Sequence, residues 1–203
     1  MKRANVAMVV MTTLLFGFSQ MGLAETFYFY KRADVKLPKK QRFDTFFDSR
    51  AKDIFPNLIL QLGIPSTRRK FSNERDKLHF TVFCAVHPES NDLSHYWFSI
   101  ESLSIRDDSK HYDLKPDPSL DESISVDGMK VRSSKEQEVF RSSAARNSYG
   151  VSLIFHANPL PKHLFMDYKL KVRKEGEAAQ IFEGTLPLEL ASYSVGWWEK
   201  TRQ

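Results

Sequence analysis

From Leu78 to Val86 every second residue is apolar: Leu78, Phe80, Val82, Cys84 and Val86, with His79, Thr81 and then His87 falling between or just beyond them. A repeat of two places that apolar set on one face of an extended chain and the polar residues on the other. The segment is therefore a half-buried strand, and the fold that holds it needs a sheet with a core on one side.

The same signature recurs along the chain. Leu58 to Ile64 is a strand candidate closed by Pro65, and Tyr149 to His156 alternates through Val151, Leu153 and Phe155. A further pair is Met166, Tyr168, Leu170 and Val172, then a charged turn over Lys174–Glu177, then Ile181 to Leu190. In Tyr96 to Ile105 the apolar set switches from even positions (Tyr96, Phe98, Ile100) to odd ones (Leu103, Ile105). One extra residue near Glu101–Ser102 would produce that switch, so a β-bulge is expected there. Asp127-Gly128 between Ile124-x-Val126 and Met129-x-Val131 predicts a tight hairpin with a type I′ turn.

Asp107 to Asp121, with Pro116 and Pro118, reads as a polar connection, and Ser133 to Ser148 as an exposed excursion around Val139-Phe140. Helical spacing occurs once, in Phe43, Phe46, Phe47, Arg50, Ala51 and Ile54, which predicts a short helix from Arg42 to Phe55 ended by Pro56. Six to eight short strands with turn signals between them predict a mainly β fold, an antiparallel β-sandwich with one short N-terminal helix.

A finer pattern points the same way. Cys84 precedes Trp97 by 13 residues, and Asp167-Tyr168-Lys169-Leu170 follows with Leu170 where a second core Cys would stand. These positions resemble the Cys, Trp and tyrosine-corner pattern of immunoglobulin domains. The resemblance covers those few positions and implies an immunoglobulin-like sandwich, which by itself carries no function.

The first residues are of another kind. Lys2 and Arg3 precede an uncharged apolar run from Val6 to Phe18, and Gly22-Leu23-Ala24 supplies small residues three and one places before a cut. This is the pattern of a cleaved secretory signal over 1–24, leaving 25–203 as one sandwich domain with a basic, helical extension over 25–57. The minority reading is an uncleaved inner-membrane anchor, but Thr12, Thr13, Ser19 and Gln20 interrupt the run, which is short for a span. No Cys follows the run to carry a lipid, and no N-x-Ser/Thr sequon is present, which favours a bacterial periplasm. Of 30 basic and 25 acidic residues, the cut removes Lys2 and Arg3 and no acid, leaving a net charge of +3. That is too mild to argue for nucleic acid. The lone Cys84 has no intramolecular partner, so there is no disulfide and stability must come from the core.

Residues that could carry chemistry do not assemble into a motif. His79 and His87 share a strand face but lie about 26 Å apart at ~3.3 Å per residue, too far to share an ion. His156 and His163 flank a connection with Pro159 and Pro161 and could converge near Asp167, without any specific ligand spacing. Gly150-Val-Ser152-Leu-Ile154 lacks the closing Gly of a nucleophile elbow, and Cys84 and His87 point to opposite faces. The acids around Asp107-Asp108 and Asp117 to Asp127 do not form a calcium loop, and the scattered glycines form no phosphate cradle. No catalytic, cofactor-binding or metal-binding residue is assigned, and no cofactor is expected.

Surface features remain. Arg68, Arg69 and Lys70, with Arg75 and Lys77, form a dense basic loop suited to an acidic partner or to anionic headgroups. Trp197 and Trp198 near the C-terminus, and Phe27 and Phe29 within Phe27-Tyr28-Phe29-Tyr30, are aromatic segments of the kind used at interfaces or at sheet edges open to an added strand. These seven residues are the candidate partner-binding set. The sequence thus predicts an exported, periplasmic, non-enzymatic protein-binding module, such as an envelope-assembly component or an immunity or inhibitor protein. Its partner would be another envelope protein, with peripheral membrane contact as an addition and no nucleic acid. Two other readings stay open: an envelope hydrolase on cell-wall or sugar polymers that pairs carboxylates from separate strands, and a small-molecule or lipid carrier with a cavity between sheets.

Overall fold

In the computed structural model, residues 25–33, 45–47, 49–67, 77–116, 123–141 and 145–195 are described. The chain divides into two compact units, Phe29–Ala191 and a second made of residues 1–28 with 192–203. Of the second, 25–28 and 192–195 are described, all in strand. The secretory signal predicted over 1–24 lies outside the described residues.

The fold is mainly β and antiparallel. Its strands are β1 (Glu25–Arg32), β2 (Thr45–Phe47), β3 (Leu58–Gly63), β4 (Ser66–Thr67), β5 (Lys77–Val86), β6 (Tyr96–Arg106), β7 (His111–Tyr112) and β8 (Lys115–Pro116). They continue as β9 (Ile124–Asp127), β10 (Lys130–Ser133), β11 (Gln137–Arg141), β12 (Arg146–Asn147), β13 (Tyr149–His156), β14 (His163–Lys174) and β15 (Gln180–Val195). A single short helix, α1 (Ser49–Ile54), occurs among the described residues, and no described helix is long and apolar enough to cross a membrane. Hydrogen bonding runs along β12-β11-β6-β14-β15-β1-β4-β5-β13-β8, with β10 joined to β6 and β2 joined through β3 to β5.

Alternation decides which side chains this path turns inward. On β5 Leu78, Phe80, Val82, Cys84 and Val86 are all buried, and on β14 so are Leu164, Met166, Tyr168, Leu170 and Val172. Residues from both ends of the path meet in one core. Phe55 packs edge-on against Tyr96 and Phe182, with ring centroids 5.9 and 6.2 Å away, and Phe98 of β6 meets Tyr149 of β13 at 5.4 Å. Each such side chain, fully buried, contributes ~1.5–3 kcal/mol of hydrophobic stabilisation.

The bulge falls where the parity switch put it. Leu170 lies opposite Ile100 while Lys169 lies opposite Ser102, so Glu101 is the extra residue of β6. The Asp127-Gly128 hairpin is present too, but its two loop residues are Gly128 and Met129, because Asp127 already pairs with Lys130. Only Gly128 has positive φ, 61°, as a type II′ turn requires and a type I′ turn does not.

Other expectations are corrected. The helix predicted from Arg42 to Phe55 is confined to Ser49–Ile54, because Thr45–Phe47 forms β2, with Phe46 opposite Leu62. The aromatic residues that matched helical spacing also have high strand propensity, and β3 offers β2 a ladder. Ser133 to Ser148 is exposed or half-buried over its described residues except Val139, but that residue pairs with Tyr96 and is fully buried, so β11 is part of the sheet. The polar connection after Asp107 sends Tyr112 and Leu114 into the core. Trp97 is only half-buried, on the side of β6 opposite to the core residues Tyr96 and Phe98, so it does not fill the place of an immunoglobulin core tryptophan.

Candidate interaction surface

The outward face of β11, β6, β14 and β15 is built by the residues that alternation leaves over. Register places Glu138 opposite Trp97 and Trp97 opposite Arg173. In the next row Ser99 faces Lys171 and Lys171 faces Ile181. Beyond the bulge Lys169 faces Glu183, Asp167 faces Thr185, and Phe165 lies between Arg106 and Pro187. These residues lie on one face because successive strand residues point to opposite sides.

Trp97 is the centre of the patch at one end. The Arg173 guanidinium sits 4.0 Å from its ring centroid, a cation–π contact, and donates to Glu136 at 3.3 Å. Lys171 reaches the other oxygen of Glu136 at 2.7 Å. His95 stacks on Phe140 with centroids 5.0 Å apart, lies 6.3 Å from Trp97, and its Nδ1 is 2.7 Å from Glu138 Oε1. Strands β6 and β11 carry Trp97 and Phe140, and His95, just before β6, is held by its stacking on Phe140 and its contact with Glu138. At the other end the pattern repeats on a smaller scale: Arg106 lies over Phe165 at 4.6 Å and donates to Asp167 at 2.8 Å. Ile181 stands 45% exposed between the two ends.

Two carboxylates on this face, Glu136 and Asp167, are held ionised. The hydrogen bond from Lys171, helped by Arg173 and opposed by burial, lowers the pKa of Glu136. Burial works against ionisation of Asp167, but hydrogen bonds from Thr185 and Arg106 outweigh it and lower the value. Off this face, Asp92 and Asp107 are also shifted down. A proton-donating carboxyl for glycoside chemistry requires a shift in the opposite direction. Among the described residues, no group of three or more His, Cys, Asp or Glu is placed to hold a metal ion. Cys84 is wholly buried and burial pushes its thiol up, the condition of an inert core cysteine.

Of the seven partner-binding candidates, Arg68, Arg69, Lys70, Trp197 and Trp198 lie outside the described residues, as does the side chain of Phe27, whose backbone belongs to β1. Phe29 is half-buried with its Cα opposite Ser66. The residues that sequence reasoning missed are Phe140, His95, Arg173 and the outward role of Trp97. The available signal was parity, since 95, 97 and 99 are the positions left over once Tyr96, Phe98 and Ile100 are given to the core. The chain matches no protein-family model, and no curated protein is significantly similar to it.

Proposed function

We propose that the chain is an exported, periplasmic, immunoglobulin-like β-sandwich without enzymatic activity that binds another envelope protein. An envelope-assembly component and an immunity or inhibitor protein are the two forms this takes. One observation carries the reading: Trp97, His95 and Phe140 form an outward aromatic patch braced by Arg173 and Glu136. Tryptophan and arginine dominate binding hot spots, and rigid aromatic side chains lose little entropy on docking. The basic loop Arg68–Lys70, the aromatic pair Trp197–Trp198, and Phe27 with Phe29 extend the candidate surface. Anionic headgroups near the basic loop are a secondary contact.

The test is a crosslinked pull-down with the full chain, tagged at its C-terminus and expressed in its own host. Mass spectrometry of the captured bait also reads whether it begins at Glu25. One dominant protein partner, competed by untagged chain and reduced about tenfold or more by Trp97→Ala, supports the reading; that factor is the ~1.4 kcal/mol that even a modest hot spot supplies. Trp198→Ala and Arg69→Ala divide the contribution of the termini and the basic loop from that of the patch. Capture unchanged in all three variants, each with a native urea midpoint, removes these surfaces from the proposal.

A further inference from the structure

A groove of about 560 Å³ is lined by residues of α1, β3 and β5 and by Pro56 and His87. Pro56, Ile59 and Phe83 give it apolar walls, and Lys52, Gln61 and His87 supply its polar groups. Phe83 lies over Gly150, where an added Cβ would approach its ring to 3.3 Å, so the ring is backed by the neighbouring strand. None of the lining residues is acidic; the nearest acids in sequence, Asp53 and Glu89, do not line it.

His87 is fixed at several points. Its amide donates to the Asn57 carbonyl at 2.7 Å, its own carbonyl accepts from Arg141 at 3.4 Å, and its ring Nδ1 accepts from the Glu89 amide at 3.3 Å. With Nδ1 accepting, the ring presents Nε2–H as a donor. The groove therefore combines apolar walls with an ammonium, an imidazole N–H and an amide, and among the described residues no carboxylate lines it.

We infer that this groove binds a small amphipathic anion, a free medium-chain carboxylate whose apolar body lies on Ile59 and Phe83 and whose head meets Lys52 and His87. Charge complementarity selects the head, because Lys52 is the one lysine or arginine among the lining residues and none of them is acidic. Area and shape select the body, since small-ligand sites are concave, mostly apolar and carry few polar groups. This site is separate from the Trp97 patch and does not depend on it.

Decanoate, decylamine and decanol, titrated calorimetrically into the full chain, test the inference. Decanoate is expected to bind more tightly than either analogue. Lys52→Glu is expected to weaken decanoate about tenfold, the scale of one charge-assisted hydrogen bond. Lys162→Glu, the same charge change on an exposed lysine that does not line the groove, should leave binding unchanged. Ile59→Trp, which fills the floor and keeps every charge, should abolish it, and a native urea midpoint for that variant separates filling from unfolding. Equal binding of the three ligands, equal effects of the two lysine variants, or binding seen only with phosphatidylglycerol vesicles overturns the proposal.

Discussion

Asp92 gathers more hydrogen bonds than its position in a surface loop would require. Its carboxylate accepts from the Tyr96 hydroxyl, from the Ser94 amide at 2.9 Å and from the Asn57 side chain at 3.2 Å, with Lys174 at 3.8 Å. Burial alone would raise its pKa; the hydrogen bonds from Ser94, Tyr96 and Asn57 overcome that and hold the carboxyl far below the usual range. Asp92→Ala strands the Tyr96 hydroxyl at the edge of the core, so a loss of ~1–3 kcal/mol is expected from the shift of a urea midpoint. The pH sign follows from linkage. A carboxyl ionised more readily in the folded state stabilises it above the unfolded value of about 3.9, and that contribution disappears as pH falls below it. Asp92→Asn should therefore flatten the acid limb of the stability profile; an acid limb as steep as in the parent chain would show that other carboxylates carry it. Gly63 makes a second argument at this scale. A Cβ there would stand 3.0 Å from both the backbone nitrogen and the backbone oxygen of Thr81, which cannot rotate away. Gly63→Ala should cost ~1–3 kcal/mol as overpacking, and a stability equal to the parent would mean that β3 and β5 separate without penalty.

Legibility of the elements depended on their length. β5, β13 and β14 run for 10, 8 and 12 residues and were readable because a period of two repeats several times within them. β7, β8 and β12 have two residues each, too few to show any period; β7 and β8 exist because the long strands β6 and β13 supply the ladder, and β12 pairs with the short β11. β11 was hidden for a related reason: of Gln137–Arg141 only Val139 is fully buried, and one buried residue gives no pattern. The helix erred in the opposite direction, since Phe46 and Phe47 satisfied a helical spacing that pairing with β3 overrides. The β9–β10 hairpin tests how far turn chemistry acts alone. Gly128 has φ of 61° with nothing within 4 Å of an added Cβ, so Gly128→Val would be strained by backbone conformation and not by contact. A loss of ~1–2 kcal/mol is expected, confined to the hairpin amides in hydrogen exchange. Unchanged exchange there would show that the turn adopts another conformation freely.

At the scale of the whole molecule, the candidate surface and the core are two readings of the same alternation. The core half was legible because apolar residues announce themselves, whereas the outward half depends on which strands lie side by side. Trp97, Arg173, Glu136 and Phe140 come from three separated segments, and their meeting follows from the β11-β6-β14 order alone. The cooperativity of that assembly can be read through Cys84, the chain's one thiol, which is wholly buried on β5 between β3 and β13. Burial pushes the thiol up, so the folded chain presents neither access nor thiolate to an alkylating reagent. Alkylation must then pass through opening, and when reclosing outpaces labelling the rate follows the free energy of that opening. If the unit opens as a whole, Asp107→Ala, which strands the Tyr112 hydroxyl just beyond β6 and 23 residues from Cys84 in sequence, should accelerate iodoacetamide labelling by the factor its urea midpoint implies, about tenfold per ~1.4 kcal/mol. Labelling that is slow in the parent and unchanged in the variant would mean that β5 opens locally, as a unit separate from the β6 side of the core.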